Sequence, residues 1–145
     1  MAEATSTPWI IRDCRADEIE AVLALWRQAE ATVSRTDTVA DLHRAMTASP
    51  AVVLVADAEG QIIGSVIGSF DGWRGNIYRL AVHPDFRRQG IARALVREVE
   101  QRLICQGAGR ITAWVEQEHP WAMGFWRASG YAIDARMVRF INDLS

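Results

Sequence analysis

The sequence predicts an α/β fold with a mixed, largely antiparallel sheet of six to seven strands flanked by about four helices. Three observations carry that prediction. Two apolar runs, AVVLVAD (51–57) and IIGSVIGSF (62–70), are joined by the short polar stretch AEGQ (58–61), the pattern of an antiparallel hairpin. A long stretch from Gly90 to Gln106 places Ile91, Leu95, Val99 and Leu103 four apart, which makes one face of a helix. That helix sits between two β-prone runs, IYRLAV (77–82) and ITAWV (111–115), and so reads as a crossover between strands.

The remaining elements follow in chain order. WIIR (9–12) is a short strand, and Ile19, Val22, Leu23 and Trp26 fall at helical spacing, with Asp17 and Glu18 at the favourable N-terminal end. A second helix spans about Thr38 to Ala48 and stops before Pro50. DGWRGN (71–76) is a polar turn. In the long helix Ala92, Val96 and Ile104 widen the apolar stripe, and Gly107 and Gly109 end it. Pro120 opens a short helix that closes before Gly130, and YAID (131–134) and RMVRFI (136–141) read as two final short strands. No repeat, low-complexity tract or linker interrupts this order. One domain over residues 1–145 is expected, with 1–8 as a loose leading segment.

Composition narrows the function class. The 145 residues carry 18 acids against 16 bases, a net charge of −2, which gives no polyanion-binding signature and disfavours nucleic acid as a partner. All 16 bases are arginine; there is no lysine. No stretch approaches the ~18 consecutive apolar residues of a membrane span. The opening residues, MAEATSTPW, lack the basic start and apolar run of a secretory signal, so a cytoplasmic location is expected. Cys14 and Cys105 stand alone and read as two buried, reduced thiols. His43, His83 and His119 have no metal-ligand spacing, and no metal is expected.

The stretch that carries chemistry is RLAVHPDFRRQGIARAL (79–95). A strand ends, the chain turns through Pro84, and an arginine-rich loop with one glycine opens the long helix. A helix N-terminus offers unpaired backbone N–H groups and partial positive charge, which together suit a phosphate. Gly90 permits close approach of the backbone, and Arg87, Arg88 and Arg93 add charge. A turn whose solvated arginines cap an ordinary helix fits the spacing equally well.

Arg87-Arg88-Gln89-Gly90-Ile91-Ala92, after a strand ending LAVHP, resembles the acyl-CoA signature of the GCN5-related N-acetyltransferase family: Arg or Gln, two residues, Gly, one residue, then Gly or Ala. HPWAMGFWRASGY (119–131) is similar to that family's second pattern of Asn, Ala, Phe-Tyr and Gly-Phe. The likeness covers about residues 9–135, and GSFDGWRGNIYRLAVHPDFRRQGIA looks like small bacterial acetyltransferases of the YpeA type. It implies that the strand ending at Val82 splays from ITAWV to form an acyl-CoA cleft, in which the ligand pairs with backbone as an added strand. Backbone groups at Leu80 and Val82 would hold pantetheine, with Ala81 between them counted among the cofactor-binding residues and the Val82 N–H polarising the thioester carbonyl. Backbone at Arg88, Gln89, Gly90, Ile91 and Ala92 would take the pyrophosphate, helped by Arg87 and Arg93. The implied co-substrate is acetyl-CoA, with direct transfer to the primary amine of a small molecule or peptide; a homodimer is compatible with it.

Two positions depart from the family pattern. Trp126 stands where Tyr is usual as proton donor to the leaving thiolate, and an indole N–H is no general acid. Either Tyr78, Tyr131 or water donates instead, with Tyr78 the first candidate, or the thiolate leaves without a dedicated donor. His119 replaces Asn, as a helix cap or as a cofactor contact alongside Trp126. Glu116 is the first candidate for the base; it and Glu118 follow the fifth strand near the mouth of the cleft, and on an extended chain their side chains would share a face. Asp71 and His83 are further candidates, each with a bland reading as loop charge or structural histidine. Trp26 and Trp114 read as packing, whereas Trp73 and Trp121 could be core, lid or acceptor wall. The alternative function is a non-catalytic acyl-CoA-binding or sensor module of the same fold.

Overall fold

The expected hairpin is the centre of the sheet. In the computed structural model, which describes residues 7–48, 51–119 and 121–144, strand β2 (Val52–Ala58) turns through Glu59 and Gly60 into β3 (Gln61–Phe70). Both turn residues have positive φ, 50° and 94°, the handedness that matches strand twist in a two-residue hairpin. Strand β1 (Ile10–Asp13) pairs with β2, and β4 (Gly75–Val82) pairs with β3, all antiparallel. Strand β5 (Ile111–Ala113) joins β4 in parallel, giving the sheet order β1-β2-β3-β4-β5. The chain divides into two compact units, Met1–Trp114 and Val115–Ser145, and this sheet belongs to the first.

Helices α1 (Ile19–Gln28) and α2 (Val39–Thr47) cover one sheet face. Ile19, Val22, Leu25 and Trp26 of α1 cluster with Leu42 of α2 and with Val55, Ile62 and Ala81 of the sheet. Helix α2 starts where Thr38 accepts the Asp41 N–H at 3.1 Å, an ordinary side-chain cap.

Helix α3 (Ile91–Gln106) lies on the opposite face, with Ile91, Leu95, Val99 and Leu103 almost fully buried. Ile104 instead is 54% exposed, because one residue past Leu103 rotates about 100° away from the sheet. The fit of α3 depends on glycine. A Cβ at Gly68 would lie 2.3 Å from Val99 Cγ2, and one at Gly64 would lie 3.0 Å from Ile91 Cγ2. The bare backbone at these positions lets the helix settle closer than side chains would permit.

Polar contacts brace the sheet edge. The Arg12 guanidinium on β1 bonds both Glu18 and Asp57, and this holds the Glu18 carboxyl at about 2, well below its usual range. Cys105 is exposed and Cys14 only half-buried, contrary to the expectation of two buried thiols. Residue 105 falls on the outer side of α3, and burial still pushes the Cys14 thiol up to about 11.

The second unit contains α4 (Ala122–Ala128). It ends in a left-handed Gly130 with φ +91°, where the Tyr131 N–H returns to the Trp126 carbonyl at 3.0 Å. Pro120, expected to open this helix, lies outside the described residues. The two expected strands after it are absent: 131–134 and 136–141 form no ladder, so the sheet has five strands among the described residues. Val138 and Phe140 are 79% and 93% exposed. β-prone side chains do not make a strand without a paired edge and a face to bury.

Two predictions follow from this packing. Gly68→Ala should lower stability by about 1–3 kcal/mol in denaturant unfolding, since the added methyl must displace Val99. The depressed Glu18 carboxyl contributes stability above its unfolded value near 4.5, and that contribution is lost as pH falls toward about 2. Glu18→Gln should therefore lower Tm at pH 7, and the gap from the parent should close by about pH 2.

Candidate active site

The site begins where β4 loses a neighbour. Parallel pairing with β5 runs only through Gly75↔Ile111, Asn76↔Thr112 and Ile77↔Ala113, plus a Trp114 N–H to the Ile77 carbonyl at 3.0 Å. From Tyr78 to Val82 the same edge of β4 has no β5 partner. The strands part, as the splayed cleft required.

The backbone direction at Val82 can be derived from the ladder. Successive residues of an antiparallel strand point their N–H groups to alternate edges. The His83 N–H donates to the Ile63 carbonyl at 2.8 Å, so it faces β3. The preceding Val82 N–H therefore faces the other edge, where β5 has ended. A hydrogen-bond donor is thus presented at the opening of the two strands.

A β-bulge produces this arrangement, and the sequence reading missed it. Tyr78 pairs with Ile67, but Ala81 pairs with Ser65, so three steps on β4 oppose two on β3. Arg79 takes φ +55°, a left-handed conformation rare for a residue with a side chain. A non-glycine in that conformation has no mark in the one-dimensional sequence; glycine there would have been the signal.

Beyond β4 the chain makes a short 3-10 turn, Pro84–Phe86, and reaches α3 through Arg87 to Gly90. His83 is engaged in this turn: its Nδ1 accepts the Asp85 N–H at 3.1 Å and its ring meets Phe86 edge-on. Arg88 and Gly90 both have positive φ, 66° and 84°, and so coil the loop around the helix start. Helix α3 opens without a side-chain cap and with no acid in its first turn. A Cβ at Gly90 would meet nothing within 4 Å. Its surface is open, its first N–H groups point along the axis, and Arg88 and Arg93 are exposed beside it. These features fit a pyrophosphate.

The α1 side of the parting strands carries aromatic side chains. Tyr78 and Trp114 lie nearly parallel, with ring centroids 6.4 Å apart, and are 37% and 40% exposed. Trp114 is not core, contrary to expectation, because it follows β5 onto a part of this face that the helices leave open. Trp73 is 72% exposed in the β3–β4 turn, with the Arg74 guanidinium 4.0 Å from its ring centroid. Asp71 holds that turn: its carboxylate accepts the Arg74 and Trp73 N–H groups at 2.7 and 2.8 Å, which hold it below its usual range. A carboxylate so engaged is a poor base.

The other candidates belong to the second unit. Strand β5 ends at Ala113, so Glu116 and Glu118 do not share a strand face; both lie in the following turn, Glu116 half-buried and Glu118 exposed. The His119 carbonyl, not its side chain, accepts the Ala122 N–H, and its ring meets Trp121 edge-on at 5.3 Å. Trp126 is 7% exposed, between Phe125 at 5.4 Å and Tyr131 at 4.8 Å. Its indole packs within this unit.

Comparison with known proteins agrees with this geometry. The model of the Acetyltransferase (GNAT) family matches residues 19–131. The chain is 39% identical to an acetyltransferase of Pectobacterium atrosepticum over 121 residues, 83% of this chain and 86% of that protein. It is 38% identical to an acetyltransferase of Photorhabdus laumondii over 109 residues, 75% of this chain and 76% of that one. Among solved structures, an aminoglycoside N-acetyltransferase in complex with CoA is similar in fold, with a TM-score of 0.79 at 18% identity, covering 99% of this chain and 100% of that chain. The PaiA N-acetyltransferase of Thermoplasma acidophilum with coenzyme A gives a TM-score of 0.77 at 16% identity, covering 88% and 91%. The chain belongs to the acetyltransferase (GNAT) family.

Proposed function

We propose that this acetyltransferase moves the acetyl group of acetyl-CoA directly to a primary amine of a small molecule or peptide. The observation that carries the reading is the outward Val82 N–H at the place where β5 leaves β4. Pantetheine would lie along the edge that β5 leaves, pairing as an added strand with backbone groups at Leu80 and Val82, whereas those of Ala81 between them turn toward β3. The pyrophosphate would sit on backbone N–H groups from Arg88 to Ala92, with Arg87, Arg88 and Arg93 supplying charge.

The chemistry asks little more of the protein. The amine nitrogen attacks the thioester carbonyl carbon, a C–N bond forms, and the C–S bond breaks with the electron pair leaving on sulfur. The Val82 N–H would stabilise the carbonyl oxygen as charge develops on it, while the cleft fixes the direction of attack. Tyr78, at the start of the unpartnered edge, would give the thiolate its proton; the proton lost by the amine passes to solvent or to a carboxylate. In the first unit Asp71 is tied into its turn and Asp37 is paired with Arg79, so neither is poised as a base. This supports an acceptor amine less basic than a lysine side chain, one already partly neutral near pH 7.

Free-thiol release from acetyl-CoA across a panel of amines tests the reading. Turnover is expected, faster for amines near pKa 8 than for those near 10. Tight CoA binding with no turnover on any amine would instead leave a binding module. Gly90→Glu should abolish thermal stabilisation by CoA, since a bulky carboxylate would occupy the phosphate position; unchanged stabilisation would refute that placement. Tyr78→Phe should lower kcat by about 10²-fold while leaving CoA affinity in place. A rate that survives this change removes Tyr78 as the donor.

A further inference from the structure

We propose that Arg79 and Asp37 are positioning residues whose ion pair holds the β4 bulge and so keeps the Val82 N–H turned toward the cleft. The inference rests on the acyl-CoA reading above for its functional consequence, but its structural part stands alone.

A left-handed φ of +55° is unfavourable for arginine, and something must hold it there. The side chain is anchored by hydrogen bonds from both terminal nitrogens. Its Nη2 donates to both oxygens of Asp37, at 2.7 and 2.8 Å, and its Nη1 donates to the Thr32 carbonyl at 2.9 Å. The guanidinium also lies 5.1 Å from the centroid of the Trp26 ring. Both partners of the ion pair are mostly buried, with side chains 19% and 17% exposed. Asp37 is placed in turn by the Ser34 N–H, which donates to its Oδ2 at 2.9 Å.

Trp26 closes the lock from the other side. Its indole N–H donates to the buried Ser65 hydroxyl at 2.9 Å, and Ser65 is the residue opposite Ala81, where the register shifts. The anchors therefore flank the bulge on both strands. They tie it to the segment between α1 and α2, which lies 42 residues away in sequence from Arg79 at Asp37.

The consequence follows from strand geometry. Were Arg79 to relax to an extended conformation, the pairing set at Ile67↔Tyr78 would continue without interruption, and Ser65 would face Leu80 instead of Ala81. Every residue beyond would then slip by one. A slip of one residue reverses the edge to which each N–H points. The Val82 N–H would turn inward to β3, and the donor proposed for the thioester oxygen would be lost.

Asp37→Ala cuts the lock without touching β4 or the proposed CoA contacts, whereas Arg79→Gly removes the lock and its need together, because glycine adopts positive φ at little cost. In the folded proteins Asp37→Ala should weaken CoA binding by about tenfold, Arg79→Gly should bind within about twofold of the parent, and the double variant should match Arg79→Gly. A merely structural ion pair would not be rescued by glycine at 79. CoA affinity unchanged in Asp37→Ala, or Arg79→Gly as weak as Asp37→Ala, overturns the proposal. Amide hydrogen exchange supplies a readout without CoA. In the parent Val82 should exchange fast and Ala81 and His83 slowly, and Asp37→Ala should reverse that order. If the parent binds no CoA, the acyl-CoA reading fails, and an exchange pattern unmoved by Asp37→Ala still decides against the lock.

Discussion

Strand β4 serves two neighbours that make incompatible demands on its backbone. Toward β3 it must keep an antiparallel ladder, because Ile77, Ala81 and Val82 are buried in the sheet core. Toward β5 it pairs only as far as Ile77, and beyond that point the Val82 N–H faces the side that β5 has left. In the register set at Ile67↔Tyr78, a regular strand would turn the Val82 N–H toward β3 and away from the side that β5 leaves. One inserted residue resolves the conflict. The rest of the unit is arranged around that insertion: Trp26 and Asp37 hold it from the α1 side, and β5 is short because its neighbour turns away.

The other face supplies the second fixed point. Helix α3 is seated on Gly64 and Gly68, where a methyl group would collide with Ile91, Leu95 or Val99. The seat fixes the height of the helix above the sheet and hence the place of its N-terminus. The connection from His83 to Gly90 then runs between two fixed points, the buried Val82 at the end of β4 and the buried Ile91 at the start of α3. The opening beside β4 and the N-terminus of α3 are thus set by one strand and by the one helix that follows it.

Much of this was legible in the sequence. The hairpin, the crossover helix, its stop at Gly107 and the arginine-glycine loop all have local signals, in periodicity or in a residue type that backbone geometry demands. What was not legible depended on distant partners. The left-handed Arg79 is held by Asp37 and Trp26, neither of them near it in sequence, and it is an arginine where a glycine would have announced the bulge. The length of β5 was overestimated because ITAWV has the side chains of a strand throughout, while its pairing partner departs after Ile77. Trp126 could be identified as a departure from the family pattern, but its place between Phe125 and Tyr131 required the fold of its own unit.

The stretch from 136 to 141 has a colloidal consequence. Its apolar side chains are open to water, Phe140 at 93%, Val138 at 79% and both Met137 and Ile141 at 69%, with no ladder to occupy their backbone. A β-prone run of this kind is sticky toward its own copies, and with a net charge of only −2 long-range repulsion does little to keep copies apart. Arg136 and Arg139 punctuate the run, and such charges act as gatekeepers against stacking. Replacing either arginine with a neutral residue removes a charge from this run and would register first as turbidity.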